Sequence, residues 1–203
     1  MALFRKIREM FVKSFAELKS VKCIVTIGLL LAAAVVLDGL GSIRIGEFLK
    51  INFAFLPLSM VGILFGPVSG LFAGMLTDII GYLVNPVSGF IPWLVLITGL
   101  EGLIYGLVLY NLKPEKSPVT IARIVAARFI VCAVCNLTLN TLALYSYGYI
   151  GSEQSFGAVF TARILTNALT FAVGSVMMVA VILPVKLFYD RKIRPYNKKY
   201  KEI

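Results

Sequence analysis

The sequence predicts an all-α polytopic membrane protein with six transmembrane helices and both termini on the cytoplasmic side, and three observations predict it. The 203 residues are 59% apolar, with a mean hydropathy of +0.91 and only 15% charged, whereas a soluble domain carries about a quarter charged residues. Long apolar runs alternate with short breaks marked by Pro, Gly or charge. Most of the basic residues gather in the N-terminal segment (Arg5 to Lys22), one middle loop (Lys113, Lys116) and the C-terminal tail (Lys186 to Lys201). Such clustering marks the cytoplasmic side of a membrane protein. It also explains a net charge of +10 without nucleic acid as a partner.

In order along the chain, residues 1–20 alternate Phe4, Ile7, Met10, Phe11 and Phe15 with Arg5, Arg8 and Lys13. This is the pattern of a cytoplasmic amphipathic helix lying at the lipid surface. The membrane domain occupies 21–189, and 190–203 form a basic cytoplasmic tail. The first span is 21–37, with the small residues Gly28 and Ala32 four apart. A polar loop, 38–47, follows. The second span, 48–64, contains Pro57, which predicts a tilt or kink. The third and fourth spans, 67–84 and 90–112, form the stretch that organises the rest. Gly62, Gly66, Gly70 and Gly74 recur every four residues, with Asp78 next in the series, and Gly102 and Gly106 repeat the spacing on the following helix. Residues four apart share a helical face. Because lipid supplies no hydrophobic drive between helices, small-residue faces are where backbones approach closely. The series therefore predicts a seam, with Asp78 as its last member. The fifth span is 119–147 and the sixth 157–188. With an even number of spans, the basic segments all fall on one side.

Charged residues inside a membrane usually mark a function or a pairing. Arg123 lies near a span end, where its side chain can reach the headgroups. Glu101 and Arg128 both fall near mid-depth and are candidates for a buried pair. Arg128, Cys132, Asn136 and Asn140 follow at four-residue steps on the fifth span, opposite Arg163, Asn167 and Thr170 on the sixth. Asparagine amides both donate and accept, and arginine clamps a carboxylate through two parallel bonds. With Phe90, Trp93, Tyr145, Tyr147 and Tyr149 near the outer ends, the set suits a planar, anionic small molecule. Helix-to-helix hydrogen bonding with an interfacial aromatic belt is the structural alternative.

Absences narrow the function further. There is no histidine, hence no general base of the commonest kind and no commonest metal ligand. Cys23, Cys132 and Cys135 sit in apolar segments and lack the companions of a metal site. No phosphate-cradling Gly-rich loop with Lys-Ser or Lys-Thr is present, so the chain does not hydrolyse ATP itself. No cofactor or metal is expected.

The block FGPVSGLFAGMLTDIIGYLVNPVSGFIP, the following LEGLIYGLVLY and the segment 139–169 resemble the substrate-binding S components of energy-coupling factor (ECF) vitamin transporters, and within them the folate-specific branch. The resemblance covers about residues 27–180. It implies a six-helix bundle without enzymatic activity, in the bacterial plasma membrane, that binds folate with high affinity from outside. The protein would then work with a transmembrane coupling subunit and two ATPase subunits. The family's pocket, formed by outer loops and the fourth to sixth helices, agrees with Trp93, Arg128, Asn136, Asn140, Arg163 and Asn167 as substrate-binding residues. Its docking pattern of small residues on the first helix implies Gly28 and Ala32 as the coupling-subunit contact. The loops 38–47 and 85–89 are candidates for gating. Pantothenate, a hydroxymethylpyrimidine or a queuosine precursor are alternative substrates. Outside the family stand a membrane enzyme using Asp38 and Asp78, whose two carboxylates would have to share one proton, and a scaffold.

Overall fold

The computed structural model describes residues 2–39, 43–45, 49–86, 89–110, 112, 117–148 and 155–193. Helix α1 (Ala2–Glu17) precedes α2 (Val21–Gly39), a short antiparallel hairpin of β1 (Ile43–Ile45) and β2 (Leu49–Ile51), α3 (Phe55–Phe65), α4 (Pro67–Val84) and α5 (Pro92–Leu109). Next comes one long helix, Pro118–Ser146, built as α6 (Pro118–Ile130), a π-helical stretch Val131–Leu139 and α7 (Asn140–Ser146). Last is α8 (Phe156–Phe188), continued by a π-helical turn at Tyr189–Ile193. Among the described residues, five helices are long and apolar enough to cross a membrane, and α3 is a shorter sixth. This is a multi-pass membrane protein whose spans are helical; β1 lies in the expected polar loop 38–47, whereas β2 falls in the segment expected to begin the second span.

The second span differs most from expectation. Its helix has eleven residues, all buried, and so extends only about 16 Å, roughly half of a bilayer's 30 Å hydrocarbon core. Pro57 introduces no kink, because it falls in the first turn of α3, where a missing N–H would have no partner anyway. The chain before it is extended, and Asn52 holds that approach. Its amide donates to the Asp38 carboxylate, and its side-chain oxygen accepts from the Ala54 N–H at 2.7 Å.

The glycine seam forms between α4 and α5. A side-chain carbon at Gly70 would run into the Gly102 carbonyl, one at Gly102 into the Gly70 carbonyl, and one at Gly74 into the Thr98 carbonyl. Gly62 carries the contact into α3, where such a carbon would stand 2.7 Å from the Gly106 nitrogen. Asp78 leaves this seam: its carboxylate accepts from the Thr98 hydroxyl at 3.3 Å and faces a cavity.

At the other end of α4, the amphipathic helix α1 is stitched to the bundle through one buried side chain. The Ser14 hydroxyl donates to the Phe65 carbonyl at 2.6 Å and accepts from the Val68 and Ser69 N–H groups at 3.1 and 3.2 Å. It thus satisfies N–H groups that a helix start leaves without partners. Gly66 is required there twice, by its φ of 89° and because a side-chain carbon would stand 2.8 Å from Ser14 Cβ. Lys186, also buried at this end, pairs with Asp190 at 2.9 Å, beside Tyr189 packed edge-on against Phe65. On α2, Cys23, Ile27, Leu31 and Ala34 face inward, while Gly28 and Ala32 lie on its exposed side.

The seam makes a direct prediction. Gly102→Ala should lower stability by about 1–3 kcal/mol, the usual cost of overpacking, read as a fall in the thermal midpoint in detergent. Gly28→Ala, where an added carbon meets nothing within 4 Å, should leave the midpoint unchanged.

Candidate binding cavity

Above the start of α3, where no helix continues its column, the bundle encloses a cavity of 620 Å³. Pockets for drug-sized molecules span about 300–1,000 Å³. Asn52, in the irregular approach to α3, and Ala54, in the turn that begins it, line it, in keeping with the rule that non-helical backbone at membrane depth is tolerated where it faces a cavity or protein. One wall comes from α4 and α5 and carries Asp78, Thr98 and Glu101. The facing wall comes from the Pro118–Ser146 helix and α8 and carries Arg128, Asn136, Asn140, Arg163 and Asn167. The first wall carries two acids and the second both guanidinium groups and three amides, while Asp38, Asn52 and Asn85 line the cavity from elsewhere.

Several of these groups are tied to one another. Arg163 Nη2 donates to Asn140 Oδ1 at 3.4 Å, and the Asn167 amide donates to the Arg163 carbonyl at 2.9 Å. Nε of Arg163 is buried without a hydrogen-bond partner, as is Nε of Arg128. Arg128, only 2% exposed, donates from Nη1 to the Tyr105 hydroxyl at 2.9 Å and lies over the Phe55 ring, 3.8 Å from its centroid. Tyr82 and Phe90 stack at 5.2 Å and add an aromatic edge.

Five of the six substrate-binding residues expected from sequence therefore line one cavity: Arg128, Asn136, Asn140, Arg163 and Asn167. Trp93 does not. It is 57% exposed on α5, in the first turn of that helix after Pro92, and does not line the cavity. Of the expected buried pair, Glu101 and Arg128 line the same cavity and interact electrostatically, but no direct hydrogen bond or ion pair joins them. Arg128 turns instead to Tyr105, Phe55 and Gly174. Cys132, the intermediate member of the four-residue series, is buried but off the cavity, since the π-helical turn changes the angle between successive residues. Of the tyrosines expected near the site, Tyr145 packs on Phe156 and Tyr147 is exposed; Tyr149 lies outside the described residues. Asp38, Asn85 and Gly89, from the two expected gating loops, line the cavity, while 40–42, 46–48, 87 and 88 also lie outside the described residues.

Sequence reasoning missed Asp78, Asn52, Phe55 and Tyr82 as cavity residues. Only Asp78 carried a signal, being an acid in a span.

Comparisons with known proteins agree with this architecture. A family model described as the S component of ECF-type riboflavin transporters matches residues 18–187. The folate transporter FolT of Clostridium novyi (strain NT) is 27% identical over 151 residues, covering 74% of this chain and 83% of that protein. A crystal structure of FolT bound with folic acid is similar at a TM-score of 0.65 and 27% identity, covering 78% of this chain and 91% of that one.

The close backing of Arg128 is testable without any ligand. A side-chain carbon at Gly174 would stand 2.8 Å from Arg128 Nε and 2.9 Å from Nη2. Gly174→Ala should therefore displace the guanidinium and lower stability by about 1–3 kcal/mol, measured as thermal midpoint, whereas Gly157→Ala, in open space, should not.

Proposed function

Since this chain belongs to the S-component family of ECF transporters, the substrate-specific and non-enzymatic membrane part of such a transporter, we propose that it binds folate in this cavity. The observation that carries the reading is Arg163, a guanidinium in a membrane helix whose buried Nε has no partner and whose neighbours Asn140 and Asn167 are uncharged. A half-buried guanidinium with an unsatisfied Nε and no ion pair to any described residue gains from an anion that reaches it. Folate supplies carboxylates at one end of an otherwise planar molecule. Riboflavin carries no carboxylate. It is the second reading, favoured by the description of the matching family model, and the hydroxyl- and amide-rich walls would suit its sugar-like chain.

Among the described residues, Arg8, Lys13, Lys186 and Arg191 lie on the helices at the end of the bundle away from the cavity, and by the positive-inside rule that end is cytoplasmic. The cavity then opens to the exterior of a bacterial plasma membrane. Uptake requires energy from elsewhere, because the chain has no nucleotide-binding loop. A transmembrane coupling subunit with two ATPases fills that role, and the exposed small-residue side of α2, with Gly28 and Ala32, is where its helices can approach closely.

The experiment is to purify the chain without partners, denature it, and identify any released small molecule by absorbance and mass. A folate species is expected, and riboflavin or another vitamin would overturn the substrate. Arg163→Met should then weaken folate binding by about 1.5–3 kcal/mol, the range for a hydrogen bond to a charged group, measured by titration calorimetry. An unchanged Kd would remove Arg163 from the site.

A further inference from the structure

The end of the bundle away from the cavity carries a helix face that no described residue covers. Helix α1 has 16 residues, six of them charged, and is too short and too polar to span a bilayer. Two neighbouring rows run along it and into the turn that follows. Phe11, Ser14 and Leu18, three and then four residues apart and so on one face, turn toward the bundle. Ser14 is fully buried against α4, Phe11 and Leu18 are half-buried, and Leu18 packs on the cluster that holds Cys23 and Ile27. Phe4, Arg8, Val12, Phe15 and Lys19, at steps of four, four, three and four, form the second row. All five are exposed, Phe4 at 81% and Phe15 at 56%. The acids Glu9 and Glu17 fall outside this row, and neither Arg8 nor Lys19 forms an ion pair with a described residue.

Ser14 fixes the depth of this face. Its hydroxyl caps the first turn of α4, and α4, with 18 residues, extends about 27 Å at the helical rise, close to the thickness of the hydrocarbon core. The first turn of α4 therefore lies at one membrane surface, and α1 lies there with it. The uncovered row meets a boundary of matching chemistry, with acyl chains for Phe4, Val12 and Phe15 and lipid phosphates for Arg8 and Lys19. We propose that this row of α1 is a binding site for anionic phospholipid, and that filling it tightens the Ser14 cap on α4. Both contacts belong to one helix and lie on adjacent faces. Whatever holds the second row at the surface thus also holds Ser14 against the Phe65 carbonyl and the Val68 and Ser69 N–H groups. The site is independent of the vitamin that the cavity takes.

The test uses the full chain in nanodiscs of phosphatidylcholine alone or of phosphatidylcholine mixed with phosphatidylglycerol, with amide hydrogen exchange as the readout. Amides of α1 should exchange about tenfold more slowly in the anionic discs, as expected for two basic residues held at a charged surface. The difference should fall below about threefold in Arg8→Gln/Lys19→Gln, and in wild type at high salt. The Val68 and Ser69 amides read the cap: anionic lipid should slow their exchange in wild type and leave it unchanged in Ser14→Ala. Exchange of α1 that is equal within about twofold in the two lipids overturns the proposal. So does protection that persists in Arg8→Gln/Lys19→Gln and at high salt, or slowing of α1 with none at Val68 and Ser69. If the double variant does not fold, the salt dependence of wild type decides. A face that exchanges equally fast in both lipids and slows only when coupling and ATPase subunits are added belongs to a protein partner, which also overturns the proposal.

Discussion

The direct backbone contact between α4 and α5 is the constraint from which the remaining geometry follows. The carbonyls of Gly70 and Gly102 occupy the space that side chains would take. With no hydrophobic effect between helices in lipid, such close packing is the main attraction available. It brings two helices into a rigid pair against which α3 lies through Gly62 and Gly106. Towards one end the pair closes fully and is capped by Ser14 from α1. Towards the other the series reaches Asp78, whose side chain cannot fit a seam, and the space between the helices opens.

The second constraint is the shortness of α3. A helix of eleven residues fills about half the depth of a membrane, and what would have been its outer half is occupied by the irregular residues 52–54 and the cavity. Membrane proteins pack polar, irregular backbone where it is shielded from lipid. A truncated helix inside a six-helix bundle satisfies that condition, because its neighbours α2, α4, α5 and α8 still face the lipid. The cavity is therefore a consequence of length as much as of side-chain choice.

Polarity then separates by wall. Asp78 and Glu101 come from α4 and α5, both guanidinium groups and three of the amides from the Pro118–Ser146 helix and α8. Arg128 shows how the site is built: the Phe55 ring takes one face, the Gly174 backbone crowds Nε and Nη2, and Tyr105 takes one donor, so the guanidinium is held in place without a direct bond to Glu101. Membership of the ECF S-component family gives that separation a purpose, since a binding protein gains from groups that are oriented yet incompletely paired before its ligand arrives.

Residue order alone determined the membrane class, the bounds of most spans, the glycine seam and five of the cavity residues, because hydropathy and four-residue spacing are local properties of a helix. The glycines at 62, 70, 74, 102 and 106 could be read as a contact before their partners were known, since nothing but close approach explains small residues on one face. Which residues meet across helices was not legible. Trp93 and Asn140 are both polar-tipped residues near span ends, yet one is exposed and the other lines the cavity. Glu101 and Arg128 have complementary charges and similar depth, but charge and depth do not specify azimuth, and three neighbours from other helices hold Arg128 elsewhere. The tertiary structure decided the truncation of α3, the place of Asp78 beyond the seam and the lack of a direct bond between Glu101 and Arg128, because each depends on packing between segments distant in sequence.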